Sequence, residues 1–210
     1  MDKNLTKQDR IAGGFYGLLI GDALGVPYEF YEAEKLPPYE EIEMLPPAGF
    51  RKTYPKVDAG TWSDDGAQAL CLLESLLNQK GFSLEDFSDA LLSWYEDGAW
   101  AGGGDVFDVG IQTAYALRGY KNELLPEECG MLNPDGKGNG ALMRVLPLVL
   151  WHSVHGSTDK EQRTKELVED AHRQCLITHG HVCNQVCCAL YCLAAQELNE
   201  ALEAADADEA

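Results

Sequence analysis

The chain has 210 residues, a length that suits one domain able to bury a core without disulfide staples. Its 16 basic residues against 35 acidic ones leave a formal net charge of −19, which excludes a broad nucleic-acid surface or a face for anionic membranes. A phosphate-bearing ligand must therefore be held locally, by backbone N–H groups, a cation or a few basic side chains.

Lys3, Lys7 and Arg10 precede an apolar stretch from Ile11 to Ile20, the layout of a secretory leader. Asp22 interrupts that stretch and no small-residue cleavage site follows, so it is expected to be a helix of the folded chain. No stretch approaches the roughly 20 apolar residues of a membrane span. Residues 9–25 carry Gly13, Gly17, Gly21 and Gly25 at a spacing of four, so one helix face has almost no side chain. Each interior glycine costs up to about 1 kcal/mol relative to alanine, so four in register predict close approach of a neighbouring helix or a ligand. Gly21-Asp22-Ala23-Leu24-Gly25 closes the helix, and Glu29 follows between Tyr28 and Phe30. Pro37, Pro38, Pro46, Pro47 and Pro55 break residues 32–58 into a long ordered loop, a kind of segment that often carries function.

Gly60-Thr61-Trp62-Ser63-Asp64-Asp65-Gly66-Ala67-Gln68 then sets a hydroxyl and two carboxylates ahead of an apolar run. Leu70, Leu73 and Leu77 recur there at helical spacing. Local chemistry leaves two readings open. Ser63 can cap the helix while Asp64 and Asp65 face the positive end of its dipole. Alternatively, the three oxygen-bearing side chains suit a hard cation such as Mg²⁺. Ser83-Leu84-Glu85-Asp86 has capping-box character and predicts a helix to about Tyr95. Gly102-Gly103-Gly104 leads to Asp105 and Asp108, and helix is expected again over residues 109–117. Residues 133–140 are a glycine-rich loop running into an expected helix over 141–151, where exposed N–H groups can meet an anion. The loop is neither a P-loop nor a dinucleotide fingerprint.

Residues 159–176 predict an amphipathic helix, Thr178-His179-Gly180-His181 a connection, and residues 182–204 a last apolar helix with a frayed acidic tail from Glu200. Cys175, Cys183, Cys187, Cys188 and Cys192 crowd into this region, five of seven cysteines. Their helical spacing is that of buried, reduced thiols in a cytoplasmic protein rather than of a disulfide framework or a zinc site. Strand alternation is almost absent, so the fold class is all-α.

In this order the segments resemble the ADP-ribosylglycohydrolase family, of the dinitrogenase reductase-activating glycohydrolase kind, over residues 9–197. The resemblance rests on Gly17-Leu18-Leu19-Ile20-Gly21-Asp22-Ala23-Leu24-Gly25, Glu29, Trp62-Ser63-Asp64-Asp65, Phe107-Asp108-Val109-Gly110, Gly138-Asn139-Gly140-Ala141-Leu142-Met143-Arg144 and Thr178-His179. It implies a compact orthogonal multi-helix domain that removes ADP-ribose from a modified protein or other acceptor. Ser63, Asp64 and Asp65 stand where the family's Thr-Asp-Asp segment supplies half the ligands of a two-Mg²⁺ site. Gly66 stands where Thr or Ser is usual. By the same resemblance Glu29 reaches the metal site and acts in catalysis or gating, and Asp108 lies near the ribose. Gly138, Asn139 and Gly140 match the diphosphate loop, and His179 lines the same cleft. Carboxylates near an anomeric carbon suit an oxocarbenium-like transition state.

The family completes its metal site with a later Asp-x-Asp-Thr segment that is not evident here. Asp206-Ala207-Asp208-Glu209 echoes the spacing without the Thr or the flanking glycines. The expectation is thus one domain over residues 1–210 that lacks the C-terminal helical region, with one Mg²⁺ or weaker metal holding. The expected function is a Mg²⁺-dependent hydrolase acting at the anomeric ribose carbon. The alternative is a catalytically impaired relative that binds ADP-ribose or a partner protein.

Overall fold

The computed structural model describes residues 5–208, with side chains as far as residue 202. Among them the regular structure is helical, with no strand: α1 (Lys7–Gly25), α2 (Asp64–Gln79), α3 (Leu84–Asp97), α4 (Ile111–Lys121), α5 (Pro126–Cys129), α6 (Leu146–His155), α7 (Lys160–Leu176) and α8 (Val182–Asp208). No described helix is long and apolar enough to cross a membrane.

The core is built where α2, α3, α6 and α7 meet, from Leu72, Leu76, Phe87, Leu91, Trp94, Leu148 and Leu167, with Cys188 and Cys192 closing it from α8. Burial of such side chains is the main source of stability, about 1.5–3 kcal/mol for each large one. The apolar stripe of α2 differs from the one expected. Cys71, Leu72, Ser75 and Leu76 face the core, whereas Leu77 is 58% exposed. Both rows have helical spacing, and the tie is broken by Gln68, which accepts from Arg144 across the fold while donating to Asp64 one turn back, and so sets the rotation of the helix.

Capping chemistry fixes several starts. Thr6 Oγ1 accepts from the Asp9 N–H at 3.1 Å while the Asp9 carboxylate accepts from the Thr6 N–H at 3.0 Å, a reciprocal box that opens α1. Ser83 Oγ accepts from the Asp86 N–H, as its sequence predicts. The expectation of close packing on the glycine row of α1 is not met among the described residues: a Cβ at Gly13, Gly17, Gly21 or Gly25 would meet nothing within 4 Å. Helix α1 instead approaches α6 through Gly14, whose Cβ position lies 3.7 Å from Leu150.

The long loop between α1 and α2 is ordered by its own polar contacts. Tyr28 and Tyr31 donate to the carbonyls of Glu43 and Arg51, Thr53 Oγ1 donates to the Glu29 carbonyl, and Phe50 packs against both tyrosine rings. Two boundaries and one burial pattern also depart from expectation. Residues 139–143 form a turn in which Leu142 and Met143 N–H donate to the Asn139 carbonyl, and α6 begins only at Leu146, where Pro147 suits a first turn. Helix α8 continues to Asp208 instead of fraying from Glu200, because Glu200 is tied to Lys160, Arg163 and Gln196. Cys183 and Cys187 are exposed on α8, contrary to the expected burial, while Cys175, Cys188 and Cys192 are buried. The side chains of Asp206-Ala207-Asp208-Glu209 lie outside the described residues.

Candidate active site

The segment that follows α1, the starts of α2 and α4 and two loops enclose a cleft of about 720 Å³, within the size range of small-molecule sites. Glu29, Asp64, Asp65 and Asp108 line one side, and Gly138, Asn139, Gly140 and His179 the other. Eight residues singled out from sequence thus meet in one cavity. Ser63 does not line it. It is buried behind Asp64 and lines a narrow slit with Trp62 and Trp94.

The α2 start is organised by a residue that sequence reasoning treated only as part of a helix end. The Asp22 carboxylate accepts from the Ser63 N–H at 2.9 Å, from Ser63 Oγ at 2.7 Å and from the Gly66 N–H at 2.7 Å. Ser63 occupies the N-cap, yet its side chain caps nothing; its proton goes to Asp22, which leaves the hydroxyl lone pairs free. Gly66 is required here, since a Cβ would stand 2.9 Å from Asp22 Oδ2 and from Trp62 Cβ, and 3.0 Å from Leu19 Cδ2. Turned in this way, Asp64 and Asp65 present their carboxylates to the cleft.

Crowded acids raise one another. Asp64 is pushed up to about 8, first by burial and then by the charges of Asp108, Asp65 and Asp22. Asp65 rises to about 6 through burial, Asp22 and Asp108. Glu29 rises to about 7, again by burial first and by Asp108 second. The Tyr54 hydroxyl lies 2.9 Å from Asp108 Oδ2 and 3.1 Å from Glu29 Oε2. One hydroxyl has one proton, so Tyr54 donates to one carboxylate at a time and the other gains by keeping its own. Next to Glu29, Phe30 sits at the cleft mouth with φ of 63° and 84% of its surface exposed. A bulky residue in the left-handed region is strained, a feature that concentrates at functional sites.

On the opposite wall Gly138 N–H donates to Gln112 Oε1 at 2.8 Å. A Cβ at Gly140 would lie 2.7 Å from His179 Cε1, so glycine lets the loop close onto the imidazole. The loop is therefore held by a side chain and a turn rather than by the start of a helix. Gln112 Nε2 and Thr113 Oγ1 are buried beside it without a partner, which is costly unless a ligand completes them. His179 is held neutral, its value driven down to about 3 by burial and by the charge of Arg144.

Among the described residues no three His, Cys, Asp or Glu side chains are close enough to hold a metal ion by themselves. Asp64 and Asp65 are nevertheless a fitting donor pair for Mg²⁺, which favours one or two carboxylates and retains several waters. Their mutual repulsion, with no lysine or arginine among the described residues lining the cleft, is what a divalent cation would relieve. Asp22, Tyr54, Gln112, Thr113 and Arg144 are contributions that sequence reading missed. Gln112 and Thr113 carried no signal, while Asp22 and Arg144 lay inside quoted motifs without an assigned role.

Residues 3–210 match the ADP-ribosylglycohydrolase family. The chain is 33% identical to the ADP-ribosylarginine hydrolase Tri1 of Pseudomonas putida (strain GB-1), over 96% of this chain and 49% of that protein. It is 27% identical to the ADP-ribosyl-[dinitrogen reductase] glycohydrolase of Rhodospirillum rubrum, over 86% of this chain and 54% of that one. A solved structure titled ADP-ribosylglycohydrolase-related protein complex is 34% identical and superposes with a TM-score of 0.64, covering 94% of this chain and 57% of the other. The chain spans about half the length of the curated relatives it matches. With a cleft that unites the acidic α2 start, Glu29, the Gly138–Gly140 loop and His179, and with a family match across nearly its whole length, the chain belongs to the ADP-ribosylglycohydrolase family.

Proposed function

We propose that this chain carries the active site of a Mg²⁺-dependent hydrolase that cleaves the bond between the anomeric ribose carbon of ADP-ribose and an arginine side chain. The reading is carried by the convergence of Glu29, Asp64, Asp65 and Asp108 on one wall of a cleft whose other wall offers Gly138, Asn139, Gly140 and His179. The arginine acceptor is suggested by the relatives named as ADP-ribosylarginine hydrolases.

Asp64 and Asp65 would hold Mg²⁺, and Ser63, which lies outside the cleft and donates to Asp22, would support the turn that presents them. When bound, the ion supplies charge stabilisation and orients ribose hydroxyls and water. Asp108 would meet the ribose, and the Gly138–Gly140 loop would meet the diphosphate. Glu29, near 7, is poised to take the proton of the attacking water. The water oxygen bonds to the anomeric carbon, the carbon–nitrogen bond breaks, and its electron pair leaves on the guanidine nitrogen.

The test is release of ADP-ribose from ADP-ribosylarginine with Mg²⁺ and with chelator, for the wild type, Asp64→Asn and Asp65→Asn. Turnover that needs Mg²⁺ and falls at least about a hundredfold in each variant is expected. Turnover unaffected by chelator and by both variants would reject the proposal. A second reading, binding of ADP-ribose without turnover, is favoured by the lack of a three-residue metal cluster among the described residues. It predicts calorimetric binding of ADP-ribose with no product at any Mg²⁺ concentration.

A further inference from the structure

Arg144 is wholly buried, and among the described residues its guanidinium donates to neutral groups. Its guanidinium lies over the Phe87 ring, donates through Nε to Gln174 Oε1 at 3.1 Å and through Nη1 to Gln68 Oε1 at 2.7 Å. Nη2 donates to the Gln174 carbonyl at 3.1 Å and to Thr178 Oγ1 at 2.9 Å. These contacts hold the fork in one orientation, and a guanidinium can only donate. Thr178 Oγ1 must therefore accept from Arg144, and its own proton has to go elsewhere.

Thr178 is fully buried, and His179 Nδ1 lies 2.8 Å from its hydroxyl oxygen. If Nδ1 carried a proton, the threonine oxygen would accept twice and its hydroxyl proton would be buried without a partner, an arrangement that folded proteins avoid. If Nδ1 is bare, each group is satisfied, with Arg144 donating to Thr178 and Thr178 donating to His179. The ring proton then sits on Nε2. That edge faces the cleft: a Cβ at Gly140 would be 3.1 Å from Nε2 and one at Gly138 would be 3.3 Å away. The unpartnered Thr113 Oγ1 lies 3.3 Å from the Cβ position of Gly140, whereas the unpartnered Gln112 Nε2 lies 3.1 Å from that of Gly136.

We infer that Arg144 and Thr178 are positioning residues that fix His179 in its Nε2–H tautomer, making it a neutral donor to an acceptor oxygen of the ligand beside Gly138 and Gly140. The ligand half of this inference rests on the proposed ADP-ribose site; the tautomer does not. His179 is accordingly no proton acceptor in the reaction. It works beside Thr113, whose unpartnered hydroxyl borders Gly140 as the Nε2 edge does.

The test is ¹⁵N NMR of the histidine rings in the full chain without ligand, followed by calorimetry with ADP-ribose and with ADP. In the wild type, His179 should show a bare Nδ1 and a protonated Nε2. Thr178→Val should lose this single tautomer and bind ADP-ribose about tenfold more weakly, the scale of one hydrogen bond. Thr178→Ser should restore both. An equal loss with ADP places the oxygen in the shared diphosphate portion; a loss with ADP-ribose alone places it on the distal ribose. A protonated Nδ1 in the wild type, or identical tautomers in wild type and Thr178→Val, overturns the relay. Absence of ADP-ribose binding by the wild type overturns the ligand half and the proposed site together, while the ligand-free spectrum still decides the tautomer and requires no variant.

Discussion

Replacing Asp22 by alanine is the most direct probe of how this site is assembled. The change removes the acceptor of three donors, the Ser63 N–H, Ser63 Oγ and the Gly66 N–H. Ser63 and Gly66 are both buried, so water does not readily replace the carboxylate. Two orphaned backbone donors at about 1–3 kcal/mol each give a loss of about 2–6 kcal/mol. Part of it is recovered, because burial already raises the pKa of Asp22 and so works against its charge. A net loss of about 3 kcal/mol is expected, which at a urea slope of about 2–3 kcal/mol per molar lowers the unfolding midpoint by about 1 M. Asp22→Asn keeps one acceptor oxygen but turns an amide NH₂ toward a donor, so it should fall between the two. Because the turn aims Asp64 and Asp65, Mg²⁺-linked stabilisation of the folded chain should also weaken in Asp22→Ala. A stability loss below about 1 kcal/mol, with Mg²⁺ response intact, would show that the α2 start holds its shape without Asp22.

In chelator, thermal stability should fall as pH rises from about 4 to about 8. Glu29, Asp64 and Asp65 all have folded values above their ordinary ones, at about 7, 8 and 6. The folded state therefore binds more protons than the unfolded chain across that window, and the stabilisation present in acid is lost as the groups ionise. A melting temperature that rises over the window contradicts the assigned crowding; saturating Mg²⁺ should flatten the trend. Phe30→Gly removes an exposed side chain from a left-handed backbone position, so stability should change by no more than about 1 kcal/mol. ADP-ribose binding should nonetheless weaken, and unchanged affinity would remove Phe30 from the cleft's working surface. Gly140→Ala places a Cβ 2.7 Å from His179 Cε1 and should weaken ADP-ribose binding by at least about tenfold. Equal affinity by calorimetry would mean that the loop moves away from the imidazole at little cost.

Much of this protein follows from local pattern. Helical spacing and the near absence of alternation are properties of neighbours in sequence, and they place most of the long helices to within a few residues, α6 starting five residues later than its pattern suggests. Ser83 could be read as a cap because its partner is three residues away. The identity of the acidic α2 start as a site, rather than an ordinary helix start, came from the order of motifs that resembles one family. Local pattern failed where two faces of a helix were equally apolar, as with Leu77 against Leu76, and where an unpartnered row such as the α1 glycines suggested a neighbour not found among the described residues.

The remaining features depend on pairs far apart in the chain. Asp22 reaches Ser63 across 41 positions, Tyr54 reaches Asp108 across 54, and Arg144 joins Gln68 across 76 and Thr178 across 34. No periodicity encodes such pairings; they arise when burial brings polar groups together and each must find a partner. Sequence alone thus determined the helices and the types of chemistry available, oxygen donors, glycines and a histidine. Tertiary packing decided which of them face one cleft and which turn inward to orient the others, because buried charge is tolerated only where geometry satisfies it.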